Sequence, residues 1–159
     1  MHGMFRHEAL RPLSRQHHNG LALCVMAARG MEQRGERAVA AWCARAVERY
    51  DVELANHFAA EEEVLFPAIR AELGEAPLVD VLITEHRQME RLVGELRHKP
   101  DRAVLEEFLE LLRSHIRREE NELFVLAQER MPAAALGALQ APMKARVAEV
   151  CLSVENEET

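Results

Sequence analysis

His57 and Glu61 stand four residues apart in HFAAEEEVLFPAI, and His115 and Glu119 repeat that spacing in HIRREENELFVLA. On a helix, residues four apart share a face, one turn above the other. An imidazole and a carboxylate on a buried face are costly unless something pairs with them. The two stretches align without a gap as HxxxEExxLF, at 57–66 and 115–124. LSRQHH at 13–18 and LITEHR at 82–87 share a second pattern, LxxxH. The order along the chain is therefore LxxxH, HxxxEExxLF, LxxxH, HxxxEExxLF. It reads as two similar helical hairpins, with one histidine on each of four helices.

Imidazole and carboxylate together suit iron, manganese or zinc, and carboxylates can bridge two ions. The candidate ligands are His17, His57, Glu61, His86, Glu90, His115 and Glu119. Four histidines and three glutamates exceed what one tetrahedral zinc accepts, so two metals fit better. Glu90 enters because it follows His86 by four residues, although a stripe through Val79, Leu82 or Ile83, His86, Met89 and Val93 would leave it half solvated. The repeat favours His17 over His18 and Glu119 over Glu120, with the second member of each pair as the alternative. Glu62, Glu63, Glu120 and Glu122 belong to charge runs, which on helices are usually solvated or supporting.

Breakers divide the chain into the helices that must carry these residues. Pro12 opens the first, which is expected to end near Arg29; the second runs from about Glu36 to a kink or stop at Pro67. The third starts near Pro77. Asp101 should cap the fourth, which ends before Pro132. An Ala-rich fifth segment follows, interrupted around Pro142, with a stripe of Leu136, Leu139, Met143 and Val147 that could pack back on the bundle or form a dimer contact. The expected seam of the second helix is Val47, Tyr50, Leu54, His57, Glu61, Val64 and Ala68; that of the fourth is Leu105, Phe108, Leu112, His115, Glu119, Glu122 and Leu126. The fold class is all-α: an up-down four-helix bundle over 1–131, with an additional C-terminal helix and polar tail over 132–159.

A formal net charge of −7 argues against a nucleic-acid partner. Three cysteines without CxxC spacing, Cys24, Cys43 and Cys151, suggest small apolar residues in a reducing compartment. The longest apolar run, LALCVMAA at 21–28, is too short to span a membrane, and the N-terminus lacks a signal-peptide core. A cytoplasmic protein without a membrane partner is the expectation. HExxH, GxSxG and Gly-rich phosphate loops are absent.

The ordered set of motifs resembles the hemerythrin-like, HHE cation-binding family over roughly residues 10 to 130. That resemblance implies two iron ions, oxo- or hydroxo- and carboxylate-bridged, inside the bundle. His17, His57, His86 and His115 would be terminal ligands, with Glu61 and Glu119 as bridges. It also implies a small-molecule ligand (dioxygen, peroxide or nitric oxide) and either catalase/peroxidase-like turnover or iron and oxygen sensing or storage, in a monomer or homodimer. Oxygen-carrying hemerythrins have HxxxH in the third helix where this chain has His86 and Glu90. On that resemblance a carboxylate at residue 90 would add negative charge and disfavour reversible oxygen carriage.

Overall fold

The computed structural model describes residues 5–155, with side chains to Val147. His2, the Cys151 side chain and the tail beyond residue 155 lie outside the described residues. Helix α1 (Arg11–Arg34) has Pro12 in its first turn, where a missing N–H costs nothing. Gly35, at φ 61°, turns the chain into α2, which runs continuously over 36–73 to Gly74 at φ 78°. Both glycines sit in the left-handed region that side chains disfavour. Helix α3 is Pro77–His98. The carboxylate of Asp101 then accepts the Val104 N–H at 3.1 Å, the cap expected at the start of α4, which spans 102–130. A short α5 (Ala133–Gly137) leads into α6 (Gln140–Glu155).

Helices α1 to α4 pack as neighbours around a square, α1 on α2, α2 on α3, α3 on α4 and α4 on α1. Their buried apolar residues form two clusters. One contains Leu10, Leu13, Leu65, Phe66, Leu82 and Phe124; the other contains Leu23, Leu54, Met89, Phe108 and Leu112. On each helix the motif histidine falls between members of the two clusters, so the four imidazoles form a polar layer with an apolar block on either side. Burying each of these large side chains contributes about 1.5–3 kcal/mol, which holds the layer in place.

Three π turns interrupt the long helices: Tyr50–Leu54 and Glu61–Leu65 in α2, and Glu119–Leu123 in α4. A π turn accommodates an extra residue, so it moves the inward face by one position. This corrects the expected seams. Beyond Glu61 the fully buried residues are Leu65, Phe66 and Ile69, while Val64 and Ala68 are only half buried. Beyond Glu119 they are Leu123, Phe124 and Ala127, and Glu122 is exposed. The first helix does not end near Arg29 but runs on to Arg34, and Pro67 does not stop the second. The Phe66 N–H reaches back five residues to the Glu61 carbonyl, and Pro67 follows in the first turn of a renewed α segment, where it is tolerated. Gly30 lets α1 continue against α2: a Cβ there would lie 2.1 Å from Trp42 Nε1.

The C-terminal break falls between Gly137 and Gln140, with Pro142 in the first turn of α6. Leu136, Leu139, Met143 and Val147 are all buried in the first cluster, so α6 packs back on the bundle, across α1 and the middle of α2. Asn56 donates to the Arg146 carbonyl at 3.0 Å, and Arg146 pairs with Glu63. Among the described residues no helix is long and apolar enough to cross a membrane.

Candidate metal centre

His17 on α1, His57 and Glu61 on α2, His86 on α3, and His115 and Glu119 on α4 meet in the polar layer, each at most 4 % exposed. Their donor atoms form two sets, His17/His57/Glu61/Glu119 and His86/His115/Glu61/Glu119. Within each set all atoms lie within 4.8 Å of one another, close to the roughly 4 Å that separates opposite ligands of one shared ion. Both carboxylates belong to both sets.

The imidazole nitrogens divide into an inner and an outer group. His57 Nε2 is 2.5 Å from Glu61 Oε1, and His115 Nε2 and His17 Nε2 are each 2.9 Å from a Glu119 oxygen. His86 Nε2 stands 3.8 Å from Glu61 and 4.0 Å from Glu119. None of these contacts has hydrogen-bond geometry: all four Nε2 atoms and all four carboxylate oxygens are buried without a hydrogen-bond partner.

Every Nδ1, by contrast, meets an acceptor on the outer side. His17 Nδ1–H donates to Glu120 Oε1 (2.8 Å), His57 to Gln16 Oε1 (2.8 Å), His86 to Glu62 Oε2 (2.9 Å) and His115 to Glu85 Oε1 (3.2 Å). Because carboxylate and amide oxygens only accept, these contacts place a proton on Nδ1 and turn Nε2 inward, as the nitrogen that would meet a metal. Arginines back the carboxylates in turn: Arg6 on Glu120 at 2.8 Å, Arg118 on Glu85 at 3.1 Å, and Arg87 on Glu62.

Burial and their mutual charges move the inner groups far from their ordinary ranges. Burial and the charge of Glu119 push Glu61 well up. Burial opposes ionisation of Glu119 as well, but His115, Glu61 and His17 outweigh it and hold Glu119 well down. Burial works against the His115 cation too, yet Glu119 and Glu85 raise it to about 9; His17 is raised in the same way by Glu119 and Glu120. His57 is pushed well down by burial and the His17 charge, and His86 to about 3 by burial and the His115 charge. Protonation is thus split unevenly across the layer: His115 and His17 are biased toward the charged form, Glu119 toward the anion, and Glu61, His57 and His86 toward the neutral form. Eight buried polar atoms without hydrogen bonds cost about 1–3 kcal/mol each, a sum comparable with the roughly 5–15 kcal/mol net stability of a domain. Metal ions that displace the inner protons would engage all eight atoms and remove that cost, so the donor set fits metal.

Aromatic rings seal the layer. Phe58 stacks on His86 with centroids 4.0 Å apart, Phe66 stacks on it at 5.8 Å, and Phe124 stacks on His17 at 5.6 Å. Tyr50 meets Phe58 edge-on at 6.3 Å, as a packing residue. Cys24 is buried, donates to the Leu109 carbonyl, and has its thiol pushed up to about 11 by burial; Cys43 is buried too and raised for the same reason.

Six of the seven sequence candidates converge; Glu90 does not. It is exposed, pairs with Arg87 at 3.4 Å and belongs to neither donor set. The reason lies in where His86 stands on α3. His86 sits at one edge of a buried stripe that continues through Met89, Leu92 and Val93, leaving Glu90 turned outward. His18 is exposed, and Glu120 supports His17 from outside the donor sets. Sequence reasoning missed Gln16 and Glu85, though the signal was in the repeat: each immediately precedes the LxxxH histidine. It also missed Glu53, only 2 % exposed and held by Asn19 and Arg49.

The family model of the hemerythrin HHE cation binding domain matches residues 8–127. Comparison with curated proteins and with solved structures gave no match.

Proposed function

The chain belongs to the hemerythrin HHE cation-binding family, and from that premise we propose that it holds two iron ions in the His/Glu layer and reacts there with dioxygen, peroxide or nitric oxide. The observation that carries this reading is the pair of four-donor sets sharing Glu61 and Glu119, with eight inward atoms left without hydrogen bonds. His17 and His57 would hold one ion, His86 and His115 the other, and the two carboxylates would bridge. Four protein donors per ion leave coordination positions for solvent and a small ligand. Iron, when bound, would supply Lewis acidity and a reversible store of electrons.

The chain's own residues do the rest. The Nδ1 acceptors hold each imidazole in the tautomer that presents Nε2. Phe58, Phe66 and Phe124 exclude water and lower the local dielectric around the ligands. Glu61, biased by burial toward its protonated form, would release that proton on loading, because a bridging carboxylate must be ionised. With Glu90 at the surface, the added charge expected at residue 90 does not reach the centre. The free thiols of Cys24 and Cys43 support a reducing, cytoplasmic setting.

A second reading, sensing without turnover, is favoured by α6, which bonds to Asn56 beside His57 and to Glu63 two residues past Glu61. Metal loss would then reach the C-terminal helix directly. The deciding experiment is iron reconstitution with elemental analysis and a visible spectrum before and after peroxide. About two irons per chain with a spectrum that changes as oxygen evolves supports peroxide turnover. Two irons with a static spectrum supports the sensor, and no bound iron removes both.

A further inference from the structure

The internal repeat makes the two donor sets pseudo-equivalent, and the structure shows where that equivalence breaks. Aligning LSRQHH with LITEHR matches His17 to His86 and Gln16 to Glu85; aligning the HxxxEE motifs matches His57 to His115 and Glu62 to Glu120. The outer contacts follow the same pairing. Glu120 holds His17 as Glu62 holds His86, and Gln16 holds His57 as Glu85 holds His115. Three of these four supports are carboxylates, each backed by an arginine. The fourth is the neutral amide of Gln16, whose Nε2 is buried with no hydrogen-bond partner.

A carboxylate that accepts from Nδ1–H draws the proton outward and raises electron density at the opposite nitrogen, which strengthens Nε2 as a donor. An amide oxygen, carrying only a partial charge, does so less. The His86/His115 set therefore has two carboxylate-activated imidazoles, and the His17/His57 set has one. Glu85 itself is only 6 % exposed and is shared with Arg118, so it stays fixed on His115.

We propose that Gln16 and Glu85 are positioning residues that make the two metal positions unequal, so that the His86/His115 position fills first. This rests on the reading that the layer binds two metal ions, and the test separates the two. Metal-free protein with nitrogen-15-labelled histidine is titrated with Zn2+ alone, and the Nε2 resonances are followed. The first equivalent shifts His86 and His115, and the second shifts His17 and His57. Outer-sphere partners alter metal affinity about ten- to a hundredfold, so the preference is large enough to resolve the two steps.

Mutual repulsion of two cations also produces two steps, and for that reason the order of filling decides. Glu85→Gln leaves one carboxylate and one amide on each side, and both histidine pairs then shift together. Gln16→Glu, read in the same way, raises the second position toward the first and guards against poor folding of the Glu85 variant. Circular dichroism checks that each variant keeps its helices. Filling of His17/His57 first, equal filling in the unaltered protein, or an order unchanged in both variants overturns the inference while leaving two-metal binding intact. No zinc-dependent shift at any of the four histidines overturns both.

Discussion

Glu61 and Glu119 occupy matching positions of the repeat, yet in the metal-free protein they should respond oppositely to the same substitution. Glu61, raised well above the ordinary glutamate range by burial and by Glu119, holds its proton to higher pH in the folded chain than in the unfolded one. Folding with a neutral Glu61 costs free energy that grows as pH rises above the unfolded value, so Glu61→Gln removes a cost and changes stability by about 0–1 kcal/mol. Glu119 is depressed, and it is the anion beside the raised His115 and His17. Glu119→Gln leaves two buried cations facing no inner anion, which costs about 3–5 kcal/mol. The assay is urea unfolding with a chelator present, repeated on zinc-loaded protein. Loaded protein should show a loss for both variants, because each removes a shared donor oxygen and with it part of the ligand-linked stability. Equal losses in the metal-free state, or a larger loss for Glu61→Gln, would refute the assignment of the proton to Glu61.

Metal affinity should fall as pH falls from 9 toward 6, because zinc must displace the proton that His115 holds up to about 9 and the raised His17 adds to the effect. Calorimetry in two buffers of different ionisation heat reads the released protons, and a pH-flat affinity contradicts it. Glu90→Ala should leave zinc stoichiometry unchanged and move stability by less than about 0.5 kcal/mol, since Glu90 is exposed and paired only with Arg87; a lost zinc equivalent would restore it as a ligand. Gly30→Ala should push the lone tryptophan, Trp42, off α1 and cost about 1–3 kcal/mol, read as a red-shifted emission and a lower Tm. An unchanged spectrum would mean that Trp42 does not pack against Gly30.

The helices were legible because prolines, the Asp101 cap and a 3,4-spaced apolar stripe agree with one another, and the site because HxxxEE and LxxxH each occur twice. The π turns were not legible. They are a backbone widening at Glu61 and Glu119 that side-chain period alone does not announce, and they shift the seam from Val64 to Leu65 and from Glu122 to Leu123. Glu90 was misplaced because spacing does not tell where a histidine stands on its stripe. His57 and His115 are followed inward by Glu61 and Glu119, whereas the buried stripe after His86 runs through Met89, Leu92 and Val93 and leaves Glu90 outside. Gln16 and Glu85 were hidden because a residue next to a ligand histidine looks like any helix-surface polar group until the neighbouring helix supplies its partner.

The most direct test of the whole account is anomalous diffraction at the iron edge from crystals of reconstituted protein. Two peaks per chain are predicted, one between His17 and His57, the other between His86 and His115, and both within coordination distance of Glu61 and Glu119. A single peak, or ions held by His18, Glu90 or another surface group instead, would contradict it.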